Sequence, residues 1–156
     1  MWEYLAGLFD GEGCPNISKS VKWKNPLKPV EGVFIKLEIT GESNHLHLIK
    51  QFLMDEGIYS GVLVGNKGKE INGWRVNTSF KLVISSHNGV KLFLINILPF
   101  LLLKKDVCKI TLEGIFLKEQ LKNKYGAISE NLYLFDKLRH KIHKYARKGR
   151  KTLKSW

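Results

Sequence analysis

The sequence predicts one α+β domain with the element order αββαββα, in which helices cover one face of a four-stranded antiparallel sheet and extra helices follow at the C terminus. Two observations lead to this fold class. Two pairs of segments alternate between apolar and polar residues, and a segment of helical periodicity follows each pair. The chain has 156 residues, 44% of them hydrophobic, which is enough for one core and too little for two. Residues 1–156 are therefore expected to form a single domain.

The first half of the chain contains one predicted helix, two strands and a second helix. The first helix begins at the N terminus and ends at Gly11-Glu12-Gly13, because glycine and the nearby Pro15 end helices. Alternating side chains predict strands over Asn16–Lys24 and Val33–Thr40. A helix with a buried apolar stripe then continues to about Glu56.

The second half repeats this arrangement and extends it. Strands are predicted near Tyr59–Val64 and over Trp74–Ser85, joined by a polar loop from Gly65 to Gly73. Helical periodicity predicts three further helices, over about Asn88–Leu98, Lys105–Asn123 and Glu130–Lys148.

The composition is strongly basic, with 26 Lys and Arg residues against 14 Asp and Glu residues and a formal net charge of +12. Such an excess repels itself, so it indicates a polyanionic partner. The uncovered sheet face is expected to present hydrogen-bonding and cationic side chains, as a β-ribbon that reads the major groove of DNA does. These side chains are Ser18, Ser20, Lys22, Lys24, Lys36, Arg75, Asn77, Ser79 and Lys81. Arg75 and Asn77 suit guanine and adenine best.

Cysteine content and hydropathy indicate the cellular compartment in which the protein is expected. Cys14 and Cys108 form no disulfide framework and have no metal-ligand spacing. No signal peptide is visible, and the most apolar stretch, Leu92–Leu103, is too short to cross a bilayer. We therefore expect an intracellular protein, cytoplasmic, nucleoid-associated or organellar, that is neither secreted nor bound to a membrane.

One short motif indicates the chemistry. The segment Leu5-Ala6-Gly7-Leu8-Phe9-Asp10-Gly11-Glu12-Gly13 resembles the LAGLIDADG motif of homing endonucleases and related intron maturases. The small residues Ala6, Gly7 and Gly11 leave little side chain on part of the helix, so that a second helix could approach closely. The two acids lie at a helix C terminus, where the helix dipole disfavours them and a cation would compensate.

The resemblance implies a homodimer, because motif helices of this family pack in pairs and only one motif is present here. The target would then be a nearly palindromic stretch of double-stranded DNA. The residues expected at the dimer interface are Leu5, Ala6, Leu8, Phe9 and Asp10.

The same resemblance implies the catalytic residues. Glu12 takes the place of the second acid and is expected to bind Mg²⁺ together with the carbonyl of Gly11, with Mn²⁺ or Ca²⁺ as possible substitutes in binding. Asp10 is expected to hold the helix end by hydrogen bonds instead. Lys104 is the better match, and Lys105 the alternative, for a lysine near the scissile phosphate. The family's water-positioning residue falls on Gly41, a departure that Thr40 or Glu42 could compensate.

A wider set of residues is expected to contact DNA. From Lys137 to Trp156 nine residues are Lys or Arg and none is acidic, which suits phosphate contacts from the last helix and a basic tail at about 149–156. The full set is Asn16, Ser18, Ser20, Lys22, Lys24, Lys36, Glu38, Thr40, Lys67, Arg75, Asn77, Ser79, Lys81, Lys105, Lys141 and Lys144. The alternative function is a non-cleaving maturase that binds intron RNA, or a nucleic-acid-binding regulator.

Overall fold

The computed structural model describes residues 1–22, 30–65, 67–71, 74–121 and 131–152, with side chains described throughout except at 20–22, 30–31, 69–71, 74–76 and 147–152. The helices and strands follow the predicted order with two additional short strands. They are α1 (Trp2–Glu12), β1 (Gly13–Lys22), β2 (Val30–Gly41), α2 (Ser43–Asp55), β3 (Gly61–Val64), β4 (Lys69–Ile71), β5 (Trp74–Val76), β6 (Phe80–Ile84), α3 (His87–Ile97), a 3₁₀ turn (Leu98–Phe100), α4 (Lys105–Leu121) and α5 (Leu132–Thr152).

A four-stranded antiparallel sheet in the order β1-β2-β6-β3 forms the centre of the domain. Along β2, Val33, Ile35, Leu37 and Ile39 are buried, because every second side chain points towards the helices. The other face is covered by no element of the described chain, and we call it the open face. Its residues are Cys14, Asn16, Ser18, Gly32, Phe34, Lys36, Glu38, Thr40, Gly61, Leu63, Lys81 and Val83. The predicted α+β fold class, with one covered face and one free face, is confirmed.

The helices build one continuous core on the other side of the sheet. Helix α2 ends at Asp55, and Gly57 then adopts a left-handed φ of 75° so that the Ile58 amide can donate to the Leu53 carbonyl. Helix α4 lies close against the sheet at Gly114, where an added Cβ would stand 3.0 Å from the Ile17 side chain. No helix in the described part of the chain is long and apolar enough to span a membrane.

The predicted strand over Trp74–Ser85 is divided in the structure. β5 ends at Val76 and pairs with β4, forming a separate two-stranded ribbon, whereas β6 begins at Phe80 and belongs to the main sheet. The predicted loop from Gly65 to Gly73 therefore contains a strand. Arg75 lies on the ribbon and Asn77 lies between the two strands, so neither belongs to the main sheet where the sequence pattern placed them.

The last helix packs beside α4 and the edge strand β1. Its buried residues Phe135 and Leu138 join the core, and the Asp136 carboxylate accepts a hydrogen bond from the Lys19 ammonium of β1. The exposed side chains of Lys141 and Lys144 therefore lie on the helical side of the domain and not on the open face. Any contact that they make with DNA has to come from beside the sheet.

Candidate functional site

The acids of the motif lie where α1 passes directly into β1, and they differ in their surroundings. Asp10 is half-buried and uses both carboxylate oxygens. Its Oδ2 accepts hydrogen bonds from the backbone amides of Leu102 (2.7 Å) and Leu103 (3.2 Å), and its Oδ1 accepts one from the amide of Lys104 (2.8 Å). Glu12, two residues later, is exposed. Asp10 thus fastens the segment that precedes α4, and the carboxylate of Glu12 stays accessible to solvent.

The side chain of Lys104 joins the same two segments, the end of α1 and the segment before α4. Its ammonium donates to the carbonyls of Phe9 (2.9 Å), Gly11 (3.3 Å) and Gly13 (2.7 Å), at the C-terminal end of α1. Helix α1 has no basic residue in its own last turn, so Lys104 supplies the cation that compensates its dipole. The cation expected at this helix end is therefore supplied, within the chain itself, by a lysine from a distant segment.

Burial shifts the pKa of two groups at the contact between α1 and the segment before α4. Removal from water lowers the pKa of Lys104 below its ordinary value, although the negative charge of Asp10 opposes the shift. Burial also raises the pKa of the Cys108 thiol to about 12, with Asp10 acting in the same direction. Cys108 is therefore a protonated packing residue at neutral pH.

Gly13, which closes the motif, is required by packing. A Cβ at this position would stand 2.2 Å from the ring of Phe9, and the Phe9 side chain is fully buried in the core. Because a buried ring cannot move aside, any larger residue here would displace the end of α1 from the start of β1. Gly13 thereby fixes the position of Glu12 relative to the sheet.

Replacing Asp10 with asparagine tests the reciprocal connection between Asp10 and Lys104. The Nδ2 atom of asparagine only donates hydrogen bonds, whereas both Asp10 oxygens accept them, so at least one backbone amide of residues 102–104 would lose its partner. We expect the free energy of unfolding to fall by about 1–3 kcal/mol, measured by chemical denaturation. Asp55→Asn is the matched control, because Asp55 is exposed and its carboxylate accepts a hydrogen bond from the side chain of Gln51 on the same helix. Equal stability of the two variants would show that the connection contributes nothing.

Helix α1 has one face in the core and one face in solvent. Leu5, Ala6 and Phe9 are fully buried in the chain's own core, so these three expected interface residues present no surface to a second copy. Leu8 is half-buried, and Gly7 and Gly11 are exposed, with no atom within 4 Å of a Cβ built on either glycine. Packing within the described part of the chain therefore does not require glycine at these two positions, which lie one turn apart.

Charged residues occupy the middle of the open face. The Glu38 carboxylate on β2 bonds the ammonium groups of Lys36 (2.6 Å) and Lys81 (3.0 Å). These hydrogen bonds, first that of Lys36, hold the pKa of Glu38 below its usual value. Asn16 is exposed, and Ser18 and Thr40 are half-buried on the same face. The middle of the open face is thus polar, and its two ammonium groups outnumber its one carboxylate.

Comparisons with known proteins place this geometry in a known fold. No family model and no curated protein matches the chain. Solved structures do match. The homing endonuclease I-CvuI in complex with its target aligns over 99% of this chain and 92% of its own, with 20% identity and a TM-score of 0.66. The archaeal intron-encoded homing endonuclease I-Vdi141I complexed with DNA aligns over 92% and 82%, with 17% identity and a TM-score of 0.63.

A third matched structure is named for the same motif. The I-LtrWI LAGLIDADG homing endonuclease bound to target DNA aligns over 90% of this chain and 43% of its own length, with 16% identity and a TM-score of 0.63. This chain has the LAGLIDADG homing endonuclease fold. The resemblance drawn from residues 5–13 is thereby confirmed for the fold.

Gly41, the position to which the motif resemblance assigns the water-positioning role, ends β2. A Cβ there would stand 3.2 Å from a methyl group of Leu46, so close packing against α2 favours glycine. Of the two alternatives, Thr40 is half-buried on the open face, whereas Glu42 is the exposed residue before α2 and makes no side-chain cap. Gly41 has no side chain to hold a water, and Thr40 lies nearer the charged cluster.

The remaining expected DNA contacts are spread over this fold. Lys67 and Lys105 are exposed, the former before the two-stranded ribbon and the latter at the start of α4. Ser79 is half-buried, and its carbonyl accepts a hydrogen bond from the Gly65 amide. Lys24 and the side chains of Ser20, Lys22 and Arg75 lie outside the described residues. The sequence does not predict the individual hydrogen bonds that Asp10 and Lys104 make. Each of these residues bonds the backbone of a segment that is far away in the sequence.

Proposed function

We propose that this protein is a site-specific, divalent-metal-dependent endonuclease that cuts both strands of double-stranded DNA as a homodimer and thereby promotes intron or intein homing. The observation that carries this proposal is the accessible Glu12 carboxylate at the junction of α1 and β1, beside the open face, in a LAGLIDADG fold. The matched structures of I-CvuI and I-Vdi141I are DNA complexes, and we extend that property to this chain.

The donor set at the junction suits a hard divalent cation, but one chain supplies only part of a site. Glu12 offers a carboxylate, and Gly11 offers a carbonyl that has a second lone pair beside its bond to Lys104. Among the described residues, no three His, Cys, Asp or Glu side chains are grouped closely enough to hold a metal ion. Glu12 of a second copy and phosphate oxygens of the DNA would complete the coordination.

A bound cation of this type would supply an activated water and neutralise charge on the phosphoryl group. The chain's own residues prepare the place where this happens. Asp10 and Lys104 lock the end of α1 to the segment before α4, which keeps Glu12 in a fixed position. Because all three Lys104 contacts are backbone carbonyls, Lys104 positions the metal-binding residues, and the exposed Lys105 is the better candidate for a phosphate contact.

Support for a homodimer comes from the exposed face of α1. Gly7 and Gly11, one turn apart, leave the helix backbone open along a strip flanked by Leu8 and by Tyr4, whose hydroxyl bonds His45 of α2. A strip of small residues allows two helix backbones to approach closely. Two copies of α1 packed along this strip would place two Glu12 carboxylates near the symmetry axis.

Selection of a cleavage site from a plasmid library tests the proposed function. The library carries a randomised stretch long enough for two half-sites, and the protein is added with Mg²⁺ or with a chelator. We expect linear products that share one nearly palindromic sequence, formed with Mg²⁺ and absent with the chelator. Linear products that persist in the chelator would contradict metal dependence. Tight binding to intron RNA with no cleavage of any duplex would favour the maturase alternative.

A further inference from the structure

A carboxylate occupies the centre of a surface that otherwise suits a polyanion. Glu38 lies on β2, which is an interior strand in the sheet order β1-β2-β6-β3. Its pairing partners on the two neighbouring strands are Cys14 and Val83. It is the one acid among the described residues of the open face. An acid in this place costs electrostatic attraction to DNA, so its presence calls for a physical reason.

Two lysines hold the Glu38 carboxylate in place from different strands. Lys36 lies two residues earlier on β2, and Lys81 lies on the neighbouring strand β6. The Glu38 side chain is 21% exposed, and those of Lys36 and Lys81 are 37% and 39% exposed. Each lysine bonds a different carboxylate oxygen, so Glu38 is fixed in orientation and ionised at neutral pH.

Stability alone does not account for this triad. Surface ion pairs of comparable exposure contribute between nothing and about 1 kcal/mol each, since water screens them and the side chains lose freedom. A polar pair without charge would bridge the strands equally well and would not repel phosphate. The triad instead combines an acceptor with donors on both sides, in the middle of the face, where a groove-binding sheet meets the floor of the groove.

Base pairs present complementary groups in the major groove. Cytosine offers its N4 amino group as a donor, and guanine offers O6 and N7 as acceptors. An ionised carboxylate only accepts hydrogen bonds, and a lysine ammonium only donates them. A row of lysine, glutamate and lysine therefore matches a C·G pair, with the carboxylate towards cytosine and a lysine towards guanine.

We propose that Glu38, oriented by Lys36 and Lys81, reads a cytosine in the major groove of the target and fixes one C·G pair in each half-site. This inference rests on the proposed function, since it assumes that the open face lies in the groove. Lys36 and Lys81 would then have a double role, as they hold the carboxylate before DNA binds and donate to the partner guanine or its neighbour afterwards.

Selection of bound duplexes from a randomised library, without cleavage and in the absence of Mg²⁺, tests the assignment. The wild-type protein should select a site with one cytosine position per half-site at which other bases bind about 10- to 100-fold more weakly. Glu38→Gln should relax that position and leave the others unchanged. Glu56→Gln, which removes an equal charge from the end of α2, is the control and should select the wild-type sequence.

Lys81→Gln is a second variant at the same triad. It should weaken the preference at the same base pair or the one beside it, and circular dichroism should report the wild-type fold for all variants. Identical selected sequences from wild type and Glu38→Gln would overturn the assignment while leaving the proposed function intact. A wild-type protein that selects no sequence at all would instead contradict the proposed function.

Discussion

Glu12→Gln is expected to reduce double-strand cleavage by about 1000-fold or more and to leave DNA binding within a few-fold of wild type. A bound metal ion contributes several kcal/mol to the transition state of phosphodiester hydrolysis, and each 1.4 kcal/mol corresponds to tenfold in rate. Glutamine keeps the size of the side chain but removes the charge that attracts the cation. Because Glu12 is exposed, the substitution leaves the core untouched. Single-turnover cleavage of the selected site and fluorescence anisotropy measure the two quantities.

Glu56→Gln provides the comparison for this variant, since Glu56 is also exposed but lies at the end of α2. Its cleavage rate should equal that of wild type. If Glu12→Gln cut at the wild-type rate, the metal site would have to lie elsewhere, because the acid assigned to it would be dispensable.

Gly7→Leu is expected to weaken dimerisation by about 100-fold or more and to abolish double-strand cleavage. A leucine side chain would stand between the two paired helices, and in a symmetric dimer the clash occurs twice, at about 1–3 kcal/mol for each overpacked site. The fold of each subunit should persist, because no described residue outside the local backbone of α1 lies within 4 Å of a Cβ at this position. Leucine should even favour the isolated helix, since glycine costs up to about 1 kcal/mol there. Sedimentation equilibrium measures the dimer dissociation constant.

A second glycine with open space serves as the control. Gly61 has no atom within 4 Å of an added Cβ and lies on β3, at the sheet edge farthest in strand order from β1. Gly61→Leu should dimerise as wild type does. A Gly7→Leu protein that forms dimers of normal affinity would exclude this face of α1 as the interface.

The sequence was sufficient for the fold class and for the position of Glu12 at the end of α1, because both depend on local patterns. Alternation along Val33–Thr40 reports directly which side chains are buried, and a short motif marks the helix end. It was insufficient to predict that the strand expected over Trp74–Ser85 is interrupted at residues 77–79. Polar–apolar alternation runs from Arg75 through Ile84, and it contains no information on which strand each half pairs with.

The packing of α1 and of Lys104 was beyond prediction for a related reason. Leu5, Ala6 and Phe9 lie on one face of α1 and Gly7 and Gly11 on another, and the sequence does not say which face meets the core and which is free. Lys104 contacts carbonyls 91 to 95 residues away in the chain. That contact depends on how α1 packs against the segment before α4. Because every residue has a backbone carbonyl, the residue types do not indicate which carbonyls a lysine will contact.

Mixing wild-type and Glu12→Gln subunits tests most directly whether each cut requires two copies of the motif helix. Equal amounts are unfolded together, refolded, and assayed for linear product with the target DNA in excess. Random pairing gives about one quarter of fully wild-type dimers, so about one quarter of the wild-type activity should remain if both acids are needed. Retention of one half would mean that each chain cuts DNA alone.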